Sequence, residues 1–194
     1  MYKVLKFLIL GSTLLGLTSS LTTYAQNISL KTNVLYMGTT TPNLGMEFKL
    51  NDKWTVDLSG GYNPFSFHEN RKFKHWVVMP ELRFWTCESF SGHFLGLHLI
   101  GGEYNVSDIN LPVGRFKDLK DFRYQGWGIG GGLTYGYHWV INRRLNLEAS
   151  ISAGYAYLDY EKFKCAKCGE KIGEGTNNYF GLTKATVSLI YFIK

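Results

Sequence analysis

Apolar and polar positions of this chain alternate with a period of two over several long stretches. Leu44, Met46, Phe48 and Leu50 interleave with Asn43, Gly45, Glu47 and Lys49. Trp54, Val56 and Leu58 interleave with Thr55, Asp57 and Ser59. Seven apolar positions from Leu145 to Tyr157 alternate with a small or polar set, and Ala185, Val187, Leu189, Tyr191 and Ile193 alternate with Lys184, Thr186, Ser188, Ile190 and Phe192. Successive side chains of a strand point to opposite faces, so this is the strand signature. Weaker alternation covers 28–37, 76–86, 92–103 and 123–139. The pattern predicts eight strands in one all-β domain over 26–194. No amphipathic helix competes with it, although a short helical turn fits within 115–122.

The connections sort by length. Those at 51–53, 87–91 and 140–143 are short, whereas 63–75, 104–122 and 160–180 are long; the first, 38–42, is also short. Long and short connections on opposite ends are the habit of an up-and-down transmembrane β-barrel, with turns in the periplasm and loops outside. A soluble eight-stranded barrel or sandwich gives the same alternation with the faces exchanged. Three features favour the membrane form. Strands 123–139 and 144–158 exceed the usual five or six residues. Aromatics gather near strand ends, as Trp54 with Tyr62, Trp76 with Phe84, Trp127 with Trp139, Tyr155 with Tyr157, and Tyr191 with Phe192, in the manner of two interfacial girdles. The chain also stops on its last alternating strand. The expected fold is an eight-stranded antiparallel transmembrane barrel of the OmpA type.

The N-terminal 25 residues read differently. Lys3 and Lys6 precede an apolar core from Phe7 to Leu17, and Thr23-Tyr24-Ala25 offers small residues three and one before a cut. That is the grammar of a secretory signal peptide cleaved after Ala25. The apolar run falls well short of the roughly 20 residues a spanning helix needs.

Composition adds to this picture. The 194 residues include 22 Gly and 4 Pro, with 16% aromatic and 19% charged residues, less charge than the roughly 25% of soluble domains. The formal charge of +6 includes Lys3 and Lys6, so the remainder is mildly basic and no nucleic-acid partner is expected.

Gly126, Gly128, Gly130, Gly132 and Gly136 share one strand face with Tyr124, Thr134 and His138. GWGIGGG lacks the Lys-Ser/Thr and the following helix of a phosphate loop. A barrel wall explains it instead, because glycine permits a sharp bend and leaves room for long side chains from other strands. Eight strands enclose just enough space for side chains. Glu47, Asp57, Glu81, Arg83 and Glu148 are therefore expected to pair in a packed lumen without a wide pore, since an unpaired buried charge costs several kcal/mol.

Candidate chemistry is sparse. Cys165 and Cys168 form a CxxC in the last long loop. Zinc would need two further ligands, and none stands nearby. A catalytic redox pair is a further reading, and a structural thiol pair or loop-closing disulfide fits an exported protein better. Cys87 has no evident partner. His68, His75, His93, His98 and His138 show no spacing with Ser and a carboxylate that marks a catalytic set. A membrane-embedded enzyme acting on lipid A or another envelope substrate is the rival reading, and no cofactor is expected. Arg71, Lys72 and Lys74 make the 68–75 segment distinctly basic, suited to lipopolysaccharide phosphates.

KTNVLY at 31–36, TTTPNLGMEF at 39–48, WTVDLSGGYNPF at 54–65, KHW at 74–76, PELRFW at 80–85, GHFLGLH at 92–98, and KCAKCGE with NYFG resemble a domain-of-unknown-function family of anaerobic gut and oral Gram-negative bacteria. The resemblance covers nearly all of the chain after the signal. It implies an outer-membrane barrel and carries over no catalytic residues. Some members lie in gene clusters with fimbrial components, which implies a surface-interaction role with a surface or fimbrial partner.

Overall fold

The computed structural model describes residues 28–65, 72–107, 122–164 and 169–193. The signal segment, Arg71, Cys165, Cys168 and the possible turn at 115–121 lie outside these. Eight strands follow in order: β1 (Ile28–Asn33), β2 (Asn43–Lys49), β3 (Trp54–Asn63), β4 (Lys72–Trp85), β5 (Gly92–Ser107), β6 (Arg123–Val140), β7 (Leu145–Phe163) and β8 (Lys171–Ile193). Each pairs antiparallel with its sequence neighbour, and β1 closes on β8 to complete the barrel. Strands lengthen steadily around the ring, from 6 residues in β1 to 23 in β8. All strands begin or end level at the short-turn end, so the wall is low at β1–β3 and tall at β6–β8.

Local chemistry sets the connections. In the β2–β3 turn, Asn51 accepts from the Lys53 and Trp54 amides at 2.9 and 3.0 Å. In the β6–β7 turn, Asn142 accepts from Arg144 and Leu145 at 2.9 and 2.7 Å. These side-chain turns fix the reversal where no glycine pair is available. The first loop-end connection differs from the expected strand over 28–37. Asn33 ends β1 and caps a short helix α1 (Val34–Gly38), its Oδ1 accepting from the Leu35 amide at 3.1 Å. The apolar run after Asn33 therefore turns into a helix and does not extend the strand.

β8 and β7 also reach further than the alternation predicts. Residues 171–183 are paired strand, and β7 runs to Phe163, so the long 160–180 connection shrinks. A bulge at Ser152/Ala153 shifts the β7–β8 register by one residue. Beyond it, outward and inward positions of β8 exchange parity, which the sequence pattern does not announce.

The two faces have opposite character. Outward positions carry Leu58, Leu82, Leu97, Leu99, Ile129, Leu133 and Ile151, all exposed; Leu133 is 70% exposed. Inward positions carry the buried polar and charged set, including Glu47, Asp57, Glu81, Arg83 and Glu148.

Candidate functional site

The interior is layered from the short-turn end upward. The first layer is aromatic. Trp85 and Phe94 are fully buried, with centroids 4.9 Å apart, and Phe90 rises from the β4–β5 turn to join them. Phe90 meets Phe192 at 5.0 Å edge to face. Phe192 thus points into the barrel and belongs to this plug, not to the outer girdle the sequence placed it in. Phe90 takes a left-handed backbone, φ 66°, to get there. The Trp85 indole donates to Thr55 at 2.9 Å, so its one polar atom is satisfied.

Arg83 stacks on this plug, its guanidinium 4.4 Å above the Phe94 ring, and opens the second layer. Its Nη1 lies 2.9 Å from both Glu47 and Glu148, and its Nε 2.7 Å from Glu81. Lys31 pairs with Asp57 and lies 3.5 Å from Glu47 and 3.8 Å from Glu148. Lys184 pairs with Glu81. The structure therefore brings all five sequence-derived interior residues together and adds Lys31 and Lys184. Both lysines lie on the polar face of their strands, and that parity was the available signal. Small residues make the space: a methyl on Gly96 would lie 2.8 Å from Glu81 Oε1, and one on Gly45 2.8 Å from Lys31 Cγ.

Three cations, Lys31, Arg83 and Lys184, face four carboxylates, Glu47, Asp57, Glu81 and Glu148. The surplus is one negative charge. His138 is the adjoining titratable group, buried, with Nδ1 3.7 Å from Glu148. His98 is held between Thr134 at 3.1 Å and Thr183 at 3.0 Å, and Thr134 in turn donates to Glu81 at 3.0 Å. A gap of about 30 Å³ remains within the layer, lined by Lys31, Asp57, Arg83 and Glu148. Tyr36 of α1 lies over it from the low wall. Among the described residues no group of three or more His, Cys, Asp or Glu side chains is arranged to hold a metal ion.

Above the charged layer the lumen opens. Phe73, Val77, Ile100, Tyr104, Val106 and Leu158 line an inner-wall hollow of about 240 Å³. The glycine run explains its shape. A methyl on Gly126 would run into the Asp159 carbonyl, and one on Gly132 into the Ala153 carbonyl, so β6 and β7 crease inward as only glycine allows. Gly136 instead makes room for the Phe94 ring.

A family model described as "Protein of unknown function (DUF3575)" matches residues 12–193. The chain belongs to the DUF3575 family. No curated protein and no solved structure matches it. The DUF3575 chain also carries a distinct outer-face row at the loop end. Tyr62, Trp76, Glu103, Trp127 and Asp159 stand side by side across five strands. They edge a groove of about 630 Å³, and the Trp76 indole donates to Glu103 at 3.1 Å. Lys74 lies one outward position higher, exposed, beside Asn105. Lys72 is described by its backbone alone. Cys87 is exposed and unpaired in the β4–β5 turn.

Proposed function

We propose that this chain is a sealed outer-membrane β-barrel with a structural or surface-interaction role. The observation that carries the reading is the inverted polarity of the wall. Large apolar side chains are exposed all around the barrel, while seven charged side chains are buried inside it. In water both arrangements are unfavourable. In a bilayer the outward face is solvated by acyl chains and the buried charges pair within a polar lumen.

The height of the apolar belt supports this. Trp76 and Phe84 are eight residues apart on β4, and Trp127 and Trp139 twelve apart on β6. With a rise of about 3.4 Å per residue and a tilt of about 40°, the aromatic bands stand roughly 20–30 Å apart, spanning the ~25 Å apolar band of outer-membrane barrels. Short turns then face the periplasm and the tall wall faces outward. An N-terminal signal peptide ending at Ala25 would deliver the chain across the inner membrane.

The plug and the ion-pair layer argue for a closed interior, so the reading is not a pore, and it assigns no enzymatic activity. Function then falls to the loop end, toward lipopolysaccharide and a surface or fimbrial protein partner. Arg71, Lys72 and Lys74 remain the proposed phosphate contacts, although Glu103, Asp159 and Glu161 make the neighbouring wall acidic. Fractionation with gel mobility tests the proposal. The protein is expected in the outer-membrane fraction, with an unboiled band that shifts on boiling, and no conductance in planar bilayers. Recovery in the soluble periplasm overturns the membrane reading, and steady conductance overturns the seal.

A further inference from the structure

β8 is 23 residues long, and β1 pairs with its last six, Ser188–Ile193. Just above that seam the Asn33 side chain takes over from the strand. Its Oδ1 accepts from the Val187 amide at 3.2 Å, and its Nδ2 donates to the Ala185 carbonyl at 3.5 Å. The chain then turns into α1, which lies against β8 with Tyr36 near Lys184, Thr186 and Ser188. Among the described residues no strand pairs with Lys171–Lys184 on this side, although β7 covers the other side throughout.

The Val187 amide faces the seam. Antiparallel alternation, with the one-residue shift at the bulge, puts the main-chain groups of Glu174, Thr176, Asn178 and Phe180 on the same open side. Natural edges are usually blunted by Pro, by free Lys or by shortness. This edge has no Pro. Lys171 is engaged with Glu161 and Glu174 at 2.6 Å each, and Lys184 is turned inward to Glu81. Gly173 has nothing within 4 Å of its added methyl, so the inner side of the edge is open there, whereas methyls added at Gly175 and Gly181 would meet the Tyr160 and Tyr179 rings. On the outer side Phe180 is 80% exposed beside exposed Leu182.

We infer that the Lys171–Gly181 edge of β8 is a docking site for an extended segment of another polypeptide, added as a further strand at the outer end of the barrel. The orientation rests on the outer-membrane reading. Rows of main-chain donors and acceptors at two-residue spacing are complemented by a strand and by no compact surface. The segment that fits alternates, with bulky side chains over Gly173 and an apolar one beside Phe180. A second copy fits poorly. Two copies in one membrane are related by an axis along its normal, which sets both β8 edges running the same way, whereas a two-fold strand pair is antiparallel.

Amide hydrogen exchange of the full chain tests this in three preparations: detergent micelles, bilayers with purified lipopolysaccharide, and native outer-membrane vesicles. The amides of Glu174, Thr176, Asn178 and Phe180, which point away from β7, should exchange fast in the first two and at least about tenfold slower in the third. The T176P/N178P variant removes two edge donors and should restore fast exchange at Glu174 and Phe180 in native vesicles. Gly173→Asp, at a position with open space around it, should do the same while leaving the fold intact. Slow exchange in detergent would mean the chain covers its own edge, and slow exchange in lipopolysaccharide bilayers would mean lipid covers it. Either result overturns the inference, as does fast exchange in native vesicles or protection that survives both variants. The boiling shift of the same samples reports separately on the barrel itself.

Discussion

The turn-end half of the barrel and its loop-end half are built from the same strands, yet they solve opposite problems. Below, β1–β8 all contribute inward side chains, the aromatic plug meets the charged layer, and the ring is closed. Above, β1 and β2 have ended, inward side chains of β6 give way to glycines, and among the described residues a hollow and an uncovered β8 edge remain. The difference teaches that closure follows side-chain supply. Where inward groups satisfy one another, eight strands seal. Where they thin out, the wall creases and exposes main chain.

The largest way to break this contrast is Arg83→Met. It strands Glu47, Glu81 and Glu148 without their shared cation, and should cost about 3–5 kcal/mol in urea unfolding from micelles. Tyr104→Phe, in the upper half, removes one hydrogen bond to the Asp159 carbonyl at 3.3 Å and should cost about 1 kcal/mol or less. Equal losses would erase the distinction between the halves.

Glycine substitutions come next. Gly132→Val must push β7 back and should lower stability by about 1–3 kcal/mol, whereas Gly173→Val should be close to neutral by the same unfolding measurement. A neutral Gly132→Val would remove the crease as an explanation. Glu47→Gln has a smaller expected effect. It cancels the surplus negative charge while keeping the side chain's shape, so a loss of no more than about 1 kcal/mol is expected.

The surface ion pairs should matter least. Lys171 holds the Glu174 carboxyl below its ordinary range, and Glu161 and Glu174 raise Lys171. A depressed carboxyl contributes stability above its unfolded pKa and loses it as pH falls through the folded one. Both groups are fully exposed and screened, so Lys171→Met should leave the unfolding midpoint, and its dependence on pH below 5, unchanged within error.

The lower half was the more legible in sequence. Its strands carry strong alternation, and Glu47, Asp57, Glu81, Arg83 and Glu148 stand at inward parity. Lys31 and Lys184 stood there as well, Lys31 in a stretch of weaker alternation and Lys184 at the start of the clear alternation of β8. Phe192 shared inward parity with Ser188 and Ile190, yet its nearness to the terminus suggested a girdle. The outer part of β8 was illegible because KIGEGTNNYFGLT offers no apolar rhythm: its pairing rests on main chain against β7. The helix after Asn33 was hidden because one capping side chain decides it against four apolar neighbours.

The proposal that the exposed apolar belt faces a membrane is tested most directly by spin labels at Leu97→Cys and Leu133→Cys, with Cys87, Cys165 and Cys168 replaced by Ser, in protein reconstituted into bilayers. Both positions face outward between the aromatic bands. Collisions with dissolved oxygen should be frequent and collisions with a water-soluble nickel chelate rare at both. Free access of the chelate to both labels would mean that the belt faces water.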